Sequence, residues 1–172
     1  GKTLVAFVAM LLAVEAGSQA AMMAPTEILA RQHLESLRPL AEQAGVVLEV
    51  LTGRDKGKER EAKLKALQDG DIQILLGTHA LFQKDVAFQD LALAVIDEQH
   101  RFGVRERMGL GAKGASVDIL VMTATPIPRS LALAQYGDMD VSILDEKPPG
   151  RTPVKTALAA TNRLDDVLDH LA

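Results

Sequence analysis

Leu93-Ala94-Val95-Ile96-Asp97-Glu98-Gln99-His100 carries the architecture of this chain: an apolar run ends abruptly in two adjacent carboxylates. A short continuous apolar run reads as a strand covered on both faces, the pattern of a parallel sheet sandwiched between helices. Open α/β sheets hold their ligands at the carboxyl ends of such strands. Acids at that tip are therefore candidates for holding Mg²⁺ and an attacking water in a nucleotide hydrolase. The plain alternative is a solvated carboxylate pair in a loop. At the other end of the chain, Gly1-Lys2-Thr3 enters the apolar stretch Leu4–Val14. A Gly-Lys-Thr triplet opening a helix is how a phosphate-binding loop ends: Lys2 reaches the β- and γ-phosphates, the Thr3 hydroxyl reaches the metal, and backbone N–H groups including that of Gly1 cradle the anion. The triplet alone is weak; its pairing with Asp97 and Glu98 gives it weight.

Short β-type runs alternate with helical stretches on both sides of these landmarks. Ala20–Ala24, Val46–Leu51, Ile72–Leu76, Leu93–Asp97, Val117–Thr123 and Val141–Leu144 read as strands. Lys2–Glu15 (closed by Gly17), Thr26–Arg38, Glu59–Leu67, Val104–Lys113 and Ile127–Tyr136 read as helices. Alternation of this kind builds an α/β fold, a mostly parallel sheet with helices on both faces. The first helix is expected to be buried on most sides. Pro39 is expected to break the second helix, with a short turn through Ala44. The strand feeding the phosphate loop is expected upstream of Gly1, so the domain reads as N-terminally truncated. From Asp145 the sequence turns to Asp-Glu-Lys-Pro-Pro-Gly-Arg-Thr-Pro, which reads as a linker. Val154–Ala160 then reads as a strand and Arg163–Leu171 as the start of a helix. The expected domains are 1–147 and a second, beginning within 148–172.

Bulk composition narrows the class. With 172 residues, 48% hydrophobic and 24% charged, the chain has the make-up of a globular core and is too apolar for a disordered tail. Aromatics at 3% make that core aliphatic. The absence of cysteine excludes disulfides and thiolate zinc sites, and fits a reducing cytoplasm. A net charge of −4 argues against a wholly basic nucleic-acid coat, though a local basic cleft is compatible with it. The apolar run Leu4–Val14 is too short to span a bilayer, which takes about 20 apolar residues.

Several further segments end strands. Gly53-Arg54-Asp55-Lys56-Gly57-Lys58 imitates a phosphate loop but is one residue short, and Glu59 stands where a hydroxyl is needed. It reads instead as a mixed-charge loop and helix face. Thr123-Ala124-Thr125 closes a strand with two hydroxyls, either a relay beside the acids or a plain strand end before Pro126. Ala24-Pro25-Thr26 and Gly77-Thr78-His79 sit where strands run into helices. Thr26 suits an N-cap, and exposed N–H groups and hydroxyls at such places also bind nucleic-acid phosphates.

In this order, Gly1-Lys2-Thr3, Ala24–Ala30, Gly77–Leu81, Asp97–Val104 and Thr123–Arg129 resemble the motifs of superfamily-two helicases. More narrowly the chain resembles the bacterial ATP-dependent DNA helicases that remodel stalled forks and branched junctions. The motor of the transcription-repair coupling factor is the nearest rival; Gln99 and Pro148–Val154 favour the former. The resemblance implies a RecA-like P-loop NTPase domain, the first of two, using ATP and Mg²⁺. It implies that Lys2 and Thr3 end the first motif, that Asp97 binds the metal, and that Glu98 is the catalytic acid. Gln99 and His100 would sense the γ-phosphate, and Thr123 with Thr125, flanking Ala124, would couple that state to DNA grip. Pro25, Thr26, Gly77, Thr78 and His79 would lie along the DNA backbone. Its partners would be branched DNA, a second RecA-like domain and an N-terminal DNA-binding module of the same protein, with no membrane involved. Alone, the chain is expected to hydrolyse ATP negligibly. A non-helicase P-loop enzyme and a non-catalytic scaffold are the readings from other classes.

Overall fold

A computed structural model of the chain describes residues 1–97, 116–124, 140–146, 150, 156, 158, 160 and 161. It comprises two compact units, Gly1–Ser142 and Ile143–Ala172. The first is built around a five-stranded sheet in the order β2-β3-β1-β4-β5, with β1 Gln19–Met23, β2 Leu48–Leu51, β3 Ile74–Gly77, β4 Leu91–Ile96 and β5 Asp118–Val121. All four pairings are parallel, as the alternating sequence predicts. The sheet is apolar on both faces because alternate residues of each strand point to opposite sides. Ala20, Met22, Ile74, Leu76 and Val95 enter one core, and Ala21, Met23, Leu75, Ala94 and Ile96 the other.

Helix α1, Lys2–Glu15, has the span expected of it. It buries Ala6, Phe7 and Met10 in the first core. Leu4, Val5, Val8 and Leu12 stay half or more exposed, so the helix is buried on one side only. An all-apolar sequence hides which side faces the sheet, and here the small Ala6 lets the backbone approach while Phe7 and Met10 fill the gap.

Helix α2, Glu27–Ala44, runs through Pro39 without the expected break. Proline removes the hydrogen bond to the carbonyl four residues earlier, that of Glu35, and crowds it. Both residues lie on the exposed side, where water can satisfy that carbonyl. On the opposite side Ala30, Leu34, Leu37 and Ala41 continue one buried stripe across the proline. Packing of Leu37 and Ala41 on the sheet therefore outweighs the local penalty. The helix ends where Gly45 takes a left-handed conformation, φ 68°, that lets its N–H and that of Val46 close the last turn.

Helix α3, Gly57–Asp69, contributes Leu67 to the second core. A short 3-10 helix, His79–Phe82, follows β3. At the amino edge of the sheet the buried Gln19 ties three segments together. Its amide donates to the carbonyls of Leu67 (2.8 Å) and Ile72 (2.6 Å), and its oxygen accepts from the Asp90 N–H at 3.0 Å.

Val141–Leu144, expected as a strand, is irregular, with Val141, Ile143 and Leu144 exposed. Among the described residues no strand pairs with them, and apolar β-formers do not make a strand on their own. In the second unit, positions 156, 158 and 160 of the expected strand Val154–Ala160 are likewise irregular. The helices expected over 104–113, 127–136 and 163–171 lie outside the described residues, as do Glu98, Gln99, His100 and Thr125. Among the described residues no helix is long and apolar enough to cross a membrane.

Candidate nucleotide site and the loops along its edge

Strand register brings the strand ends into one row. Leu51 pairs with Gly77, Gly77 with Met23, Met23 with Ile96, and Ile96 with Val121. The residues that follow, Thr52, Thr78, Ala24, Asp97 and Met122, therefore line the carboxyl edge in sheet order. Backbone bonds continue the ladders beyond the strands: Ala24 N–H to Gly77 (2.8 Å), Asp97 N–H to Met23 (2.9 Å) and Met122 N–H to Ile96 (2.8 Å). At roughly 4.8 Å between neighbouring strands, Thr78 and Asp97 stand about 10 Å apart.

The N-terminus of α1 returns to this same edge. The helix packs against β1 and β4, and the short link through Gly17 and Ser18 ties its C-terminus to the start of β1. Fourteen residues rise about 21 Å, enough to traverse the sheet back to the carboxyl ends. In the first turn only the N–H groups of Leu4 and Val5 find a backbone partner, the carbonyl of Gly1. The turn contains no acid, unlike the first turns of α2 (Glu27) and α3 (Glu59), so the positive end of its helix dipole is not offset by a carboxylate of its own turn. Lys2 and Thr3 are partly exposed there.

Asp97 is held from an unexpected direction. Its Oδ2 lies 2.9 Å from Nε2 of His33, in the middle of α2, with the two side chains only 13% and 12% exposed. Nε2 is placed to donate to that oxygen, since a carboxylate accepts. Among the described residues, Oδ1 of Asp97 has no hydrogen-bond partner.

Along the rest of the row, Pro25 is half-buried and Thr26 exposed. Thr26 caps α2, its hydroxyl accepting from the Leu29 N–H at 3.3 Å, so the plain role read in the sequence is filled. Gly77 is needed at close quarters: a Cβ there would strike the Leu51 carbonyl and the Leu81 side chain. Thr78 is 6% exposed and His79 exposed. Thr123 is half-buried and Ala124 exposed at the end of β5.

The phosphate-loop imitation after β2 is a closed structural turn. Asp55 accepts from the Thr52 N–H (2.7 Å), the Thr52 hydroxyl (3.0 Å) and Lys63 Nζ (2.6 Å). Burial works against the Asp55 charge, but these hydrogen bonds and the Lys63 charge together outweigh it and hold the carboxyl below its usual 3.8. Burial likewise opposes the Lys63 charge, and Asp55 overrides it, raising Lys63 above 10.5. Arg54, at the turn's outer corner and 80% exposed, reaches Glu27 Oε1 at 3.1 Å, which also meets Arg31 Nε at 3.2 Å. A basic group thus stands beside Thr26 at the mouth of the edge.

Sequence reasoning missed His33, Arg54 and Gln19. His33 reads as one polar residue in an amphipathic helix, and no spacing links it to Asp97, 64 positions away.

The chain was compared with known proteins. A family profile described as DEAD/DEAH box helicase matches residues 1–134. The ATP-dependent DNA helicase RecG of Pasteurella multocida (strain Pm70) is 51% identical over 172 residues, covering 98% of this chain and 25% of that protein. The ATP-dependent DNA helicase RecG of Haemophilus influenzae (strain ATCC 51907 / DSM 11121 / KW20 / Rd) is 50% identical, again over 98% and 25%. The chain thus spans a quarter of the length of these relatives. Among solved structures, one of RecG bound to a three-way DNA junction superposes with a TM-score of 0.80 at 44% identity, over 99% of this chain and 23% of that one. With the profile covering most of its length on a five-stranded parallel sheet, this chain belongs to the DEAD/DEAH box helicase family.

Proposed function

We propose that this chain is the ATP-binding motor domain, residues 1–147, of an ATP-dependent DNA helicase that remodels branched DNA, with a second motor domain beginning within 148–172. The observation that supports the reading is the carboxyl edge, along which strand register lines up Asp97 with the loops after β1 and β3, and toward which the length of α1 and its packing on β1 and β4 direct its opening turn. A nucleotide held there touches the acid on one side and has the nucleic-acid loops one or two strands away. The names of the RecG relatives and the junction bound in one of their structures support branched DNA as the substrate.

In this reading Lys2 binds the β- and γ-phosphates against the N–H groups of Gly1–Thr3. Thr3 and Asp97 offer oxygen donors, a set that suits Mg²⁺, which takes one or two protein oxygens besides phosphate and water. Among the described residues no cluster of three or more His, Cys, Asp or Glu would hold a metal without the nucleotide. When bound, Mg²⁺ neutralises charge on the transferring phosphate. Glu98 would orient the attacking water and accept its proton, and Gln99 and His100 would sense the γ-phosphate state. Thr123, Ala124 and Thr125 pass the nucleotide state toward Pro25, Thr26, Gly77, Thr78 and His79. Those residues grip DNA through phosphate, with Arg54 adding charge, so the grip is salt-sensitive and indifferent to sequence.

The test is ATP hydrolysis by the intact protein with no DNA, linear duplex, forked DNA and a three-way junction. Stimulation by DNA, strongest with branched forms, is expected. Glu98→Gln should lower turnover by about 10²–10⁴-fold while ATP and DNA binding persist. Hydrolysis unaffected by any DNA would overturn the reading.

A further inference from the structure

We propose that His33 is a positioning residue for the magnesium-binding acid, fixing one oxygen of Asp97 and tying that acid to the helix whose first turn carries the DNA loop. The inference rests on the role given to Asp97 above.

The contact is short and sheltered: Nε2 to Oδ2, 2.9 Å, with about one-eighth of each side chain exposed. A charge-assisted bond of this kind restricts the carboxylate to one rotamer and leaves Oδ1 for the cation. Partners behind a metal ligand set its orientation, and their removal weakens metal affinity by about 10–100-fold. His33 does this from α2. Seven residues separate it from the cap Thr26, about 10 Å along the helix axis. Between the two, Ala30 is fully buried against the sheet, and Leu34 follows on the same stripe. A load on Pro25 and Thr26 therefore reaches Asp97 through a single packed helix rather than through a flexible loop.

The test is equilibrium binding of a fluorescent ATP analogue to the intact protein across a Mg²⁺ titration, without turnover. His33→Ala and the shape-filling His33→Leu should each raise the Mg²⁺ concentration for half-maximal binding about tenfold. Binding without Mg²⁺ should change less than twofold. His33→Gln, which keeps a donor, should recover most of the loss, and in an Asp97→Asn background His33→Leu should add nothing. If His33→Leu leaves the Mg²⁺ midpoint within twofold while Asp97→Asn shifts it, the inference fails alone. If Asp97→Asn does not shift it either, the role given to Asp97 falls with it. A uniform loss of binding with and without Mg²⁺, matched by a lower melting temperature and no rescue by Gln, marks a merely structural contact and also overturns the proposal.

Discussion

Replacing Gln19 should cost the domain more than any surface change, because one side chain closes three gaps at the amino edge of the sheet. It is 3% exposed, and Gln19→Leu removes its bonds to the carbonyls of Leu67 and Ile72 and to the Asp90 N–H. The losses are unequal. Leu67 keeps a bond from the Gly70 N–H at 3.3 Å, and Asp90 is exposed, so water can replace its partner. The Ile72 carbonyl bears most of the penalty. At about 1–3 kcal/mol for the group left wanting and about 0.5–1.5 for each other bond, less the gain from burying Leu, the net is about 3 kcal/mol. For a domain of this size that lowers the thermal midpoint by about 6–12 °C. Gln19→Glu is the sharper variant: its shape is unchanged, but it sets a carboxylate against two carbonyl oxygens. At neutral pH it should be less stable than Gln19→Leu, and acidification, which restores one O–H donor, should narrow the gap. Circular-dichroism melts at two pH values read both effects. A Leu variant within about 0.5 kcal/mol of the parent, or a Glu variant equal to it at neutral pH, would refute the assignment. Nucleotide affinity below the midpoint should hold, since Gln19 sits at the opposite end of β1 from the site.

Asp55→Asn should destabilise the domain by about 1–2 kcal/mol at pH 7. Its depressed carboxyl contributes stability above the unfolded value near 3.8 that is lost as pH falls through the folded one, so urea midpoints of parent and variant should converge in strong acid. The raised Lys63 works the other way, its contribution being complete below 10.5 and fading as pH climbs past its folded value. Pro39→Ala should stabilise by about 1–2 kcal/mol, because it restores a helix bond on an exposed turn and loses only the proline's restriction of the unfolded chain. Denaturant melts showing no gain would mean that the helix is already bent to suit the ring.

The sheet was legible because its central strands are largely covered: Leu93–Ile96 and Ile74–Leu76 are apolar without interruption, as parallel strands between helices are. Boundaries differed by a residue or two in both directions, since pairing with the neighbouring strand, not the apolar run, sets where a strand begins and ends. Pro39 misled because its penalty is local, whereas the stripe through Leu37 and Ala41 is tertiary. Val141–Leu144 misled for the converse reason, good local propensity with no partner strand among the described residues. Gly1–Thr3 and Asp97 could be proposed as a nucleotide site because their residue types match the chemistry. His33 could not, since its contact with Asp97 depends on α2, packed on β2 and β3, reaching the end of β4, and no pattern within the helix encodes that.

The bonds from Ala24, Asp97 and Met122 that prolong the ladders have a mechanical meaning. Sliding Asp97 against the loop at Thr26 would require breaking backbone pairs already locked between two aliphatic cores. The edge is therefore an anvil rather than a hinge. A body closing upon it would pass its force to the loops after β1 and β3 undiminished by give in the frame.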